Sequence, residues 1–225
     1  MTEGNPCGMK NNFQLIIFDI DGTLVDTLDD ITASANKVLK YFGLKKASKE
    51  EIKYAVGGGV DNFFLNLHVN SSNIKIAKKL FSEDYLKNIT KKSKLYSGTL
   101  DVLKELKRRK IILYVVSNKP QVFSEKLLKM LKVKKYFKKI IGINSEEKRR
   151  LKPAPYYIKK ILLKEKVKSE KAMIVGDSKT DILAAKNSKI FSAAVLYGFR
   201  NFKELKKYNP DFFIKRPIEL LKIIK

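Results

Sequence analysis

The apolar positions of this chain change period along its length, and the changes mark out its elements. Residues 14–19 carry the unbroken run Leu15-Ile16-Ile17-Phe18 and stop at Asp19. A short, partly β-branched apolar run that ends abruptly predicts a buried strand. Over residues 26–41 the spacing of Leu28, Ile31, Ala35, Val38 and Leu39 is helical. The stretch VGGGV, residues 56–60, breaks that pattern. A second helical pattern then runs over 61–94, with Leu65, Leu67, Ile76, Leu80, Tyr85, Leu86 and Ile89 as its apolar stripe. YSGT at 96–99 predicts a turn with an N-cap, and an amphipathic helix follows over 100–110.

From there the texture changes. Strands are expected over 111–118, 138–143 and 171–178, a fifth within 190–199 and a short sixth over 211–214. Helical patterns separate them over 121–133, 154–167 and 180–189. Apolar strands alternating with helices predict a parallel sheet covered on both faces, an α/β fold of three layers. The helical stretch interrupts this alternation after the first strand, so it reads as an insertion. The expected organisation is a core of residues 13–28 and 96–225, a helical unit of residues 29–95 and a loose leader of residues 1–12. No internal repeat stands out.

Ligands of an open parallel sheet bind beyond the carboxyl ends of its strands. Those ends are polar here. The first runs Asp19-Ile20-Asp21-Gly22-Thr23, and the second Ser117-Asn118-Lys119. The third leads through a charged loop to Lys152-Pro153, and the fourth ends Gly176-Asp177-Ser178, with Asp181 in the next helix turn. These groups suit phosphoryl transfer. A carboxylate such as Asp19 can attack phosphorus and form an aspartyl-phosphate. A second acid, Asp21, can protonate the leaving oxygen and later deprotonate water. Ser117 and the Lys152 ammonium can hold the transferring oxygens, and amides near Gly22 and Thr23 can add donors. Two anions approaching each other need a cation between them, and Asp19 and Asp177 offer the hard oxygen ligands that Mg²⁺ prefers. Each fragment has a plainer reading: a cation loop, a helix cap at Ser117-Asn118, an exposed turn at Lys152-Pro153, an acidic helix start at 177–181. The plainer readings do not explain why all four sit at strand ends, in this order.

The motifs DIDGTLVDT, VVSNK, LKPAP and IVGDSKTD together resemble those of the haloacid dehalogenase superfamily. The resemblance implies a Rossmann-like core with a small α-helical cap inserted after the first motif. It implies Asp19 as nucleophile, Asp21 as general acid and base, and Ser117 and Lys152 as phosphate holders. It implies Mg²⁺ on Asp19, the main-chain carbonyl of Asp21, and Asp177, with Asp181 supporting the metal shell. Dehalogenating members lack the second acid, so Asp21 implies a phosphatase or phosphomutase. The stretch after the first motif has none of the cap histidine usual in mutases. Among the phosphatases the motifs look most like phosphoglycolate phosphatases. A turn replaced by NSKI and a basic loop, EEKRRLK, depart from that pattern.

Gly57, Gly58 and Gly59 would let backbone amides reach a substrate's distal group; the alternative is a helix breaker. Asn118 joins them as a candidate substrate contact. His68 is expected to be a packing or surface residue, and Phe63, Phe64 and Leu67 to pack inside the cap.

Composition narrows the class. Lys and Arg number 48 against 23 Asp and Glu, a net charge of +25. The lysines are scattered, which fits solvated helix faces. The charge would also draw anions, so a basic nucleic-acid-binding protein is the rival from another class. No RNA-binding motif or zinc finger supports it. One cysteine, Cys7, and one histidine exclude an internal disulfide and multi-cysteine zinc sites. The leader lacks a long apolar stretch and LIIF is too short to span a bilayer. The expectation is a cytoplasmic, Mg²⁺-dependent phosphatase, monomer or homodimer. Its substrate would be a small phosphate monoester, 2-phosphoglycolate first, with a nucleotide, pyrophosphate or sugar phosphate as alternatives.

Overall fold

The computed structural model describes residues 12–224, so Cys7 and nearly all of the expected leader lie outside them. The described chain begins with β1 (Leu15–Phe18) and β2 (Val25–Asp26). Four helices follow: α1 (Leu28–Tyr41), α2 (Lys49–Ala55), α3 (Val60–Asn66) and α4 (Ile74–Asn88). The chain returns through β3 (Lys94–Leu95) and then alternates. Its elements are α5 (Thr99–Arg108), β4 (Ile112–Ser117), α6 (Gln121–Met130), β5 (Lys139–Gly142) and α7 (Tyr156–Glu165). They continue with β6 (Ala172–Gly176), α8 (Lys179–Ser188), β7 (Phe191–Val195), α9 (Phe202–Lys206), β8 (Phe212–Ile214) and α10 (Leu220–Ile223).

Six strands pair in the order β5-β4-β1-β6-β7-β8, every neighbour parallel. Phe18 lies opposite Val115 of β4 and Val175 of β6. Asp19, Ser117 and Asp177 therefore leave the sheet at one edge. Alternate side chains enter opposite layers. Leu15, Ile17, Tyr114 and Val116 pack with Ile158 and Ile161 of α7 and Ala184 and Ala185 of α8. Ile16, Phe18, Leu113 and Val115 pack with Val102 and Leu103 of α5 and Phe123 and Leu127 of α6. Burial on both faces is why β1 has no polar position. Its four side chains are at most 4% exposed, and each contributes about 1.5–3 kcal/mol by leaving water.

β2 and β3 pair antiparallel, Val25 with Leu95 and Asp26 with Lys94, and form a narrow neck below α1–α4. Asp30 of α1 fastens the returning strand: its buried carboxylate accepts from the amides of Lys92 and Ser93 and from the Ser93 hydroxyl. The helices are not isolated above this neck. Phe81 and Tyr85 of α4 meet Phe123 of α6 edge-to-face, at 5.9 and 5.3 Å, and the apolar cluster runs from Phe64 to Phe18 without a break.

Three expectations change in detail. The helix expected over 61–94 is two helices. Leu67 closes α3 and His68 turns the chain with φ 64°. Asn70 then accepts from the Ser72 amide to start the next turn. The polar run Asn70-Ser71-Ser72-Asn73 is the physical cause, since these side chains compete for backbone hydrogen bonds. α2 lies within the expected helical unit, in a stretch where no separate helix was marked out, and is started by a reciprocal Ser48–Glu51 capping box. At the start of α5, Gly98 with φ 84° takes the capping position, and the buried Thr99 hydroxyl caps nothing. His68 is exposed, and Phe63, Phe64 and Leu67 are buried.

Candidate active site

The loop after β1 turns sharply, because the Ile20 carbonyl accepts from the amides of Thr23, Leu24 and Val25. Gly22 has φ 74°, and a Cβ there would lie 2.1 Å from Asp177 Oδ2. Only glycine lets this loop pass so close to the loop after β6. Asp19 and Asp21 flank the buried Ile20 and both look into the same crevice.

Asp19, Asp177 and Asp181 each bring a carboxylate oxygen within 4.8 Å of the other two, all buried. Lys152 Nζ stands 3.0 Å from Asp19 Oδ1 and 2.6 Å from Asp181 Oδ1. Among the described residues, Asp19 Oδ1 has the Lys152 ion pair and no aligned hydrogen bond. Asp177 Oδ2 accepts from the Phe199 amide at 2.8 Å. Asp181 Oδ2 accepts from the Ser178 hydroxyl at 2.6 Å and its amide at 3.2 Å. Asp181 is thus a helix cap and a lysine partner at once, and the plainer reading of its motif is also true. Burial, then the Asp181 and Asp19 carboxylates, push Asp177 up to about 8. Burial works against the Lys152 ammonium, but Asp181 and Asp19 outweigh it and hold it above the ordinary lysine value. Three clustered buried carboxylates, two of them paired with one ammonium, leave an excess of carboxyl groups over cations. That donor set, oxygen only, fits a hard divalent cation such as Mg²⁺.

Asp21 belongs to a different cluster. Its Oδ1 accepts from the Thr27 hydroxyl at 2.7 Å and from Lys119 Nζ at 3.0 Å, and its Oδ2 from Lys119 at 3.2 Å. The two acids of the first motif tolerate one another because each has its own lysine. The Asp21 side chain lies outside the carboxylate trio.

Ser117 is buried at the cavity wall, and its Oγ accepts from the Lys119 amide at 3.2 Å. Asn118 spends its side chain on main-chain groups. It donates to Gly57 O at 2.7 Å and to Lys152 O at 2.9 Å, and accepts from the Lys152 amide at 2.8 Å. The expected substrate contact is therefore a tie between the sheet edge, the Lys152 loop and the glycine loop. Its short side chain is not a helix cap either, because α6 begins after Pro120. Lys152-Pro153 is a turn whose Pro153 is exposed, but Lys152 itself is buried, 3% exposed.

A cavity of about 60 Å³ lies above these groups, bounded by Asp19, Asp21, Ser117 and Lys119 on the sheet side and Gly57 and Phe63 on the helical side. Gly59 also reaches it, whereas Gly58 is not part of its lining and its carbonyl accepts from Asn62. Gly22 and Thr23 lie behind the cavity wall; Thr23 is buried, its carbonyl bonded by the Tyr197 hydroxyl at 3.2 Å.

Several residues at the site were not expected from the sequence as participants. Lys119 and Thr27 hold Asp21. Tyr85 of α4 accepts from Lys119 Nζ at 2.8 Å. Phe199 supplies its amide to Asp177. Arg200 spans from the loop after β7 to the helical side and donates to the carbonyls of Lys53, Tyr54 and Val56 at 2.6, 3.3 and 3.1 Å. Lys119 directly follows the recognised Ser117-Asn118 pair and Arg200 follows the stretch 190–199 that holds the fifth expected strand, so adjacency was the available signal. Tyr85 read only as part of an apolar stripe.

Among the described residues no helix is long and apolar enough to cross a membrane. A family model of haloacid dehalogenase-like hydrolases matches residues 16–195. The chain is 30% identical to a phosphoglycolate phosphatase of Vibrio parahaemolyticus over 96% of this chain and 97% of that one. It is 33% identical to a phosphoglycolate phosphatase of Aquifex aeolicus over 94% and 96%. The crystal structure of a predicted phosphoglycolate phosphatase from Haemophilus somnus superposes with a TM-score of 0.87 at 28% identity, covering 94% of this chain and 97% of that one. Fold, strand-end chemistry and these likenesses agree: the chain belongs to the family of haloacid dehalogenase-like hydrolases.

Proposed function

We propose that this chain is a Mg²⁺-dependent phosphatase acting on a small phosphate monoester, with 2-phosphoglycolate as first choice. The observation that carries the reading is the division of the site. One acid, Asp19, stands among Lys152, Asp177 and Asp181, and a second, Asp21, is held apart by Lys119 at the same cavity. In this reading Asp19 attacks phosphorus while the ester P–O bond breaks, and Asp21 gives its proton to the leaving oxygen. Asp21 then takes a proton from water, whose oxygen attacks the aspartyl-phosphate and frees phosphate and Asp19. Ser117 and Lys152 hold the phosphoryl oxygens as their charge changes. Asp19, Asp177 and the main-chain carbonyl of Asp21 would hold the metal, with Asp181 behind them; bound there, Mg²⁺ supplies neutralising charge for the phosphoryl group.

Residues 29–95 would be the cap and residues 13–28 and 96–225 the catalytic core. The cavity supports a small substrate. One water needs roughly 10–15 Å³ on the same measure, so about 60 Å³ accommodates a few atoms beyond the phosphoryl group. The names of the relatives favour 2-phosphoglycolate among small esters.

The test is a kcat/KM ranking of 2-phosphoglycolate, an aryl phosphate, sugar phosphates, nucleotides and pyrophosphate, with and without Mg²⁺. The reading expects 2-phosphoglycolate first and no turnover without metal. If it ranks no higher than the aryl ester, the substrate is wrong. Asp19→Asn is expected to abolish hydrolysis of every ester, and substantial turnover by that variant refutes the nucleophile.

A further inference from the structure

Lys119 has a short list of partners, and they belong to two parts of the molecule. Its ammonium is buried and contacts both oxygens of Asp21, at 3.0 and 3.2 Å, and the hydroxyl of Tyr85, at 2.8 Å. Among the described residues, the Asp21 Oδ2 atom has no hydrogen bond but the one from Lys119. Thr27 holds only Oδ1. Without Lys119 the carboxylate would be tethered at one oxygen and free to swing about its last torsion. Tyr85 sits on α4, fully buried, stacked on Phe81 at 5.0 Å and edge-on to Phe123 of α6 at 5.3 Å. The neighbouring residue, Asn118, reaches Gly57 on the same helical side. Two consecutive residues beyond β4 thus bond to the helical unit, Asn118 at the glycine loop and Lys119 at α4.

We propose that Lys119 is the positioning residue for Asp21, and that Tyr85 makes this positioning depend on the helices being seated against the sheet. The inference rests on the reading of Asp21 as general acid and base. When α4 is seated, the Tyr85 hydroxyl accepts a hydrogen bond from one ammonium N–H and the rest of the ammonium is directed at the two Asp21 oxygens. When α4 moves away, Lys119 gains freedom and Asp21 loses its orientation. Proton delivery would then be coupled to enclosure of the substrate.

A leaving-group comparison reads this directly. An alkyl ester leaves as a strongly basic alkoxide and needs the proton from Asp21, whereas a nitrophenyl ester leaves as a stable anion and needs it little. Lys119→Met is expected to lower kcat on an alkyl phosphate at least about tenfold more than on 4-nitrophenyl phosphate. Tyr85→Phe, which keeps the packing and removes the hydroxyl, is expected to shift the same ratio in the same direction by less. Equal loss on both esters, or a rise in KM alone for carboxylated substrates, overturns the inference and makes Lys119 a structural or substrate-binding cation. If Lys119→Met does not fold, Tyr85→Phe decides, and an unchanged ratio overturns it. Asp19→Asn is assayed in parallel. Its failure to abolish turnover refutes the functional reading itself, whereas a dead Asp19→Asn with an unshifted Lys119→Met ratio removes only this inference.

Discussion

The Asn118 side chain donates to the Gly57 carbonyl at 2.7 Å, so the residue after Ser117 holds the glycine loop that closes the cavity. The same amide bridges both main-chain polar groups of Lys152. One side chain sets the distance between Lys152 and the loop across the cavity. Asn118→Ala leaves the buried Lys152 amide unsatisfied, at a cost of about 1–3 kcal/mol. Chemical denaturation is expected to show that loss, and the steady-state assay a rise in KM as the glycine loop loosens.

Removal of the proposed metal is expected to have a stability signature separate from activity. Mg²⁺ bound at the buried Asp19, Asp177 and Asp181 cluster would stabilise the folded chain. At a hundredfold excess over its Kd the gain is about 2.7 kcal/mol. Thermal unfolding is expected at a higher Tm with Mg²⁺ than with EDTA, and Asp177→Asn is expected to lose most of that difference. An Asp177→Asn protein with the full Mg²⁺ shift would place the metal elsewhere.

Gly22 is where two loops meet. Gly22→Ala puts a Cβ 2.1 Å from Asp177 Oδ2 on a left-handed backbone, which alone costs about 1–2 kcal/mol. The carboxylate must move, so the expected result is destabilisation above that figure together with a weaker Mg²⁺ shift in Tm. A variant as stable and as metal-responsive as the wild type would contradict the close approach.

Asp84 of α4 ties the helices together through Ser34, at 2.7 Å, and Lys37 of α1. Burial would raise its carboxyl, but Lys37 and Ser34 outweigh burial and hold it below 3.8. The unfolded chain therefore binds this proton more readily. The stability it adds is present above pH 3.8 and is lost as pH falls through the lower folded value. Asp84→Asn is expected to lower Tm at neutral pH by an amount that shrinks on acidification below about pH 4. A gap that stays constant down to pH 3 would show that charge is not the cause.

Much of the fold was legible because burial on two faces writes itself into consecutive residues. Leu15-Ile16-Ile17-Phe18 and Ala172-Met173-Ile174-Val175 could only be strands inside three layers, and the polar residues ending them marked the ligand edge. The break in the second helical pattern was less legible, because Asn70 and its neighbours act through local hydrogen bonds that the apolar stripe does not register.

The candidate site divides in the same way. Local sequence determined which loops carry carboxylates, a hydroxyl and a lysine, since each motif is contiguous and follows its own strand. Tertiary structure decided which lysine serves which acid: Lys152 goes to Asp19 and Asp181, and Lys119 to Asp21 and Tyr85. It also gave Asn118 to main-chain groups and Arg200 to three carbonyls of the helical side. The physical reason is directional. Burial and periodicity depend on neighbours a few residues away, whereas a hydrogen bond between residues 34 to 147 apart depends on the angle at which two packed elements present their side chains.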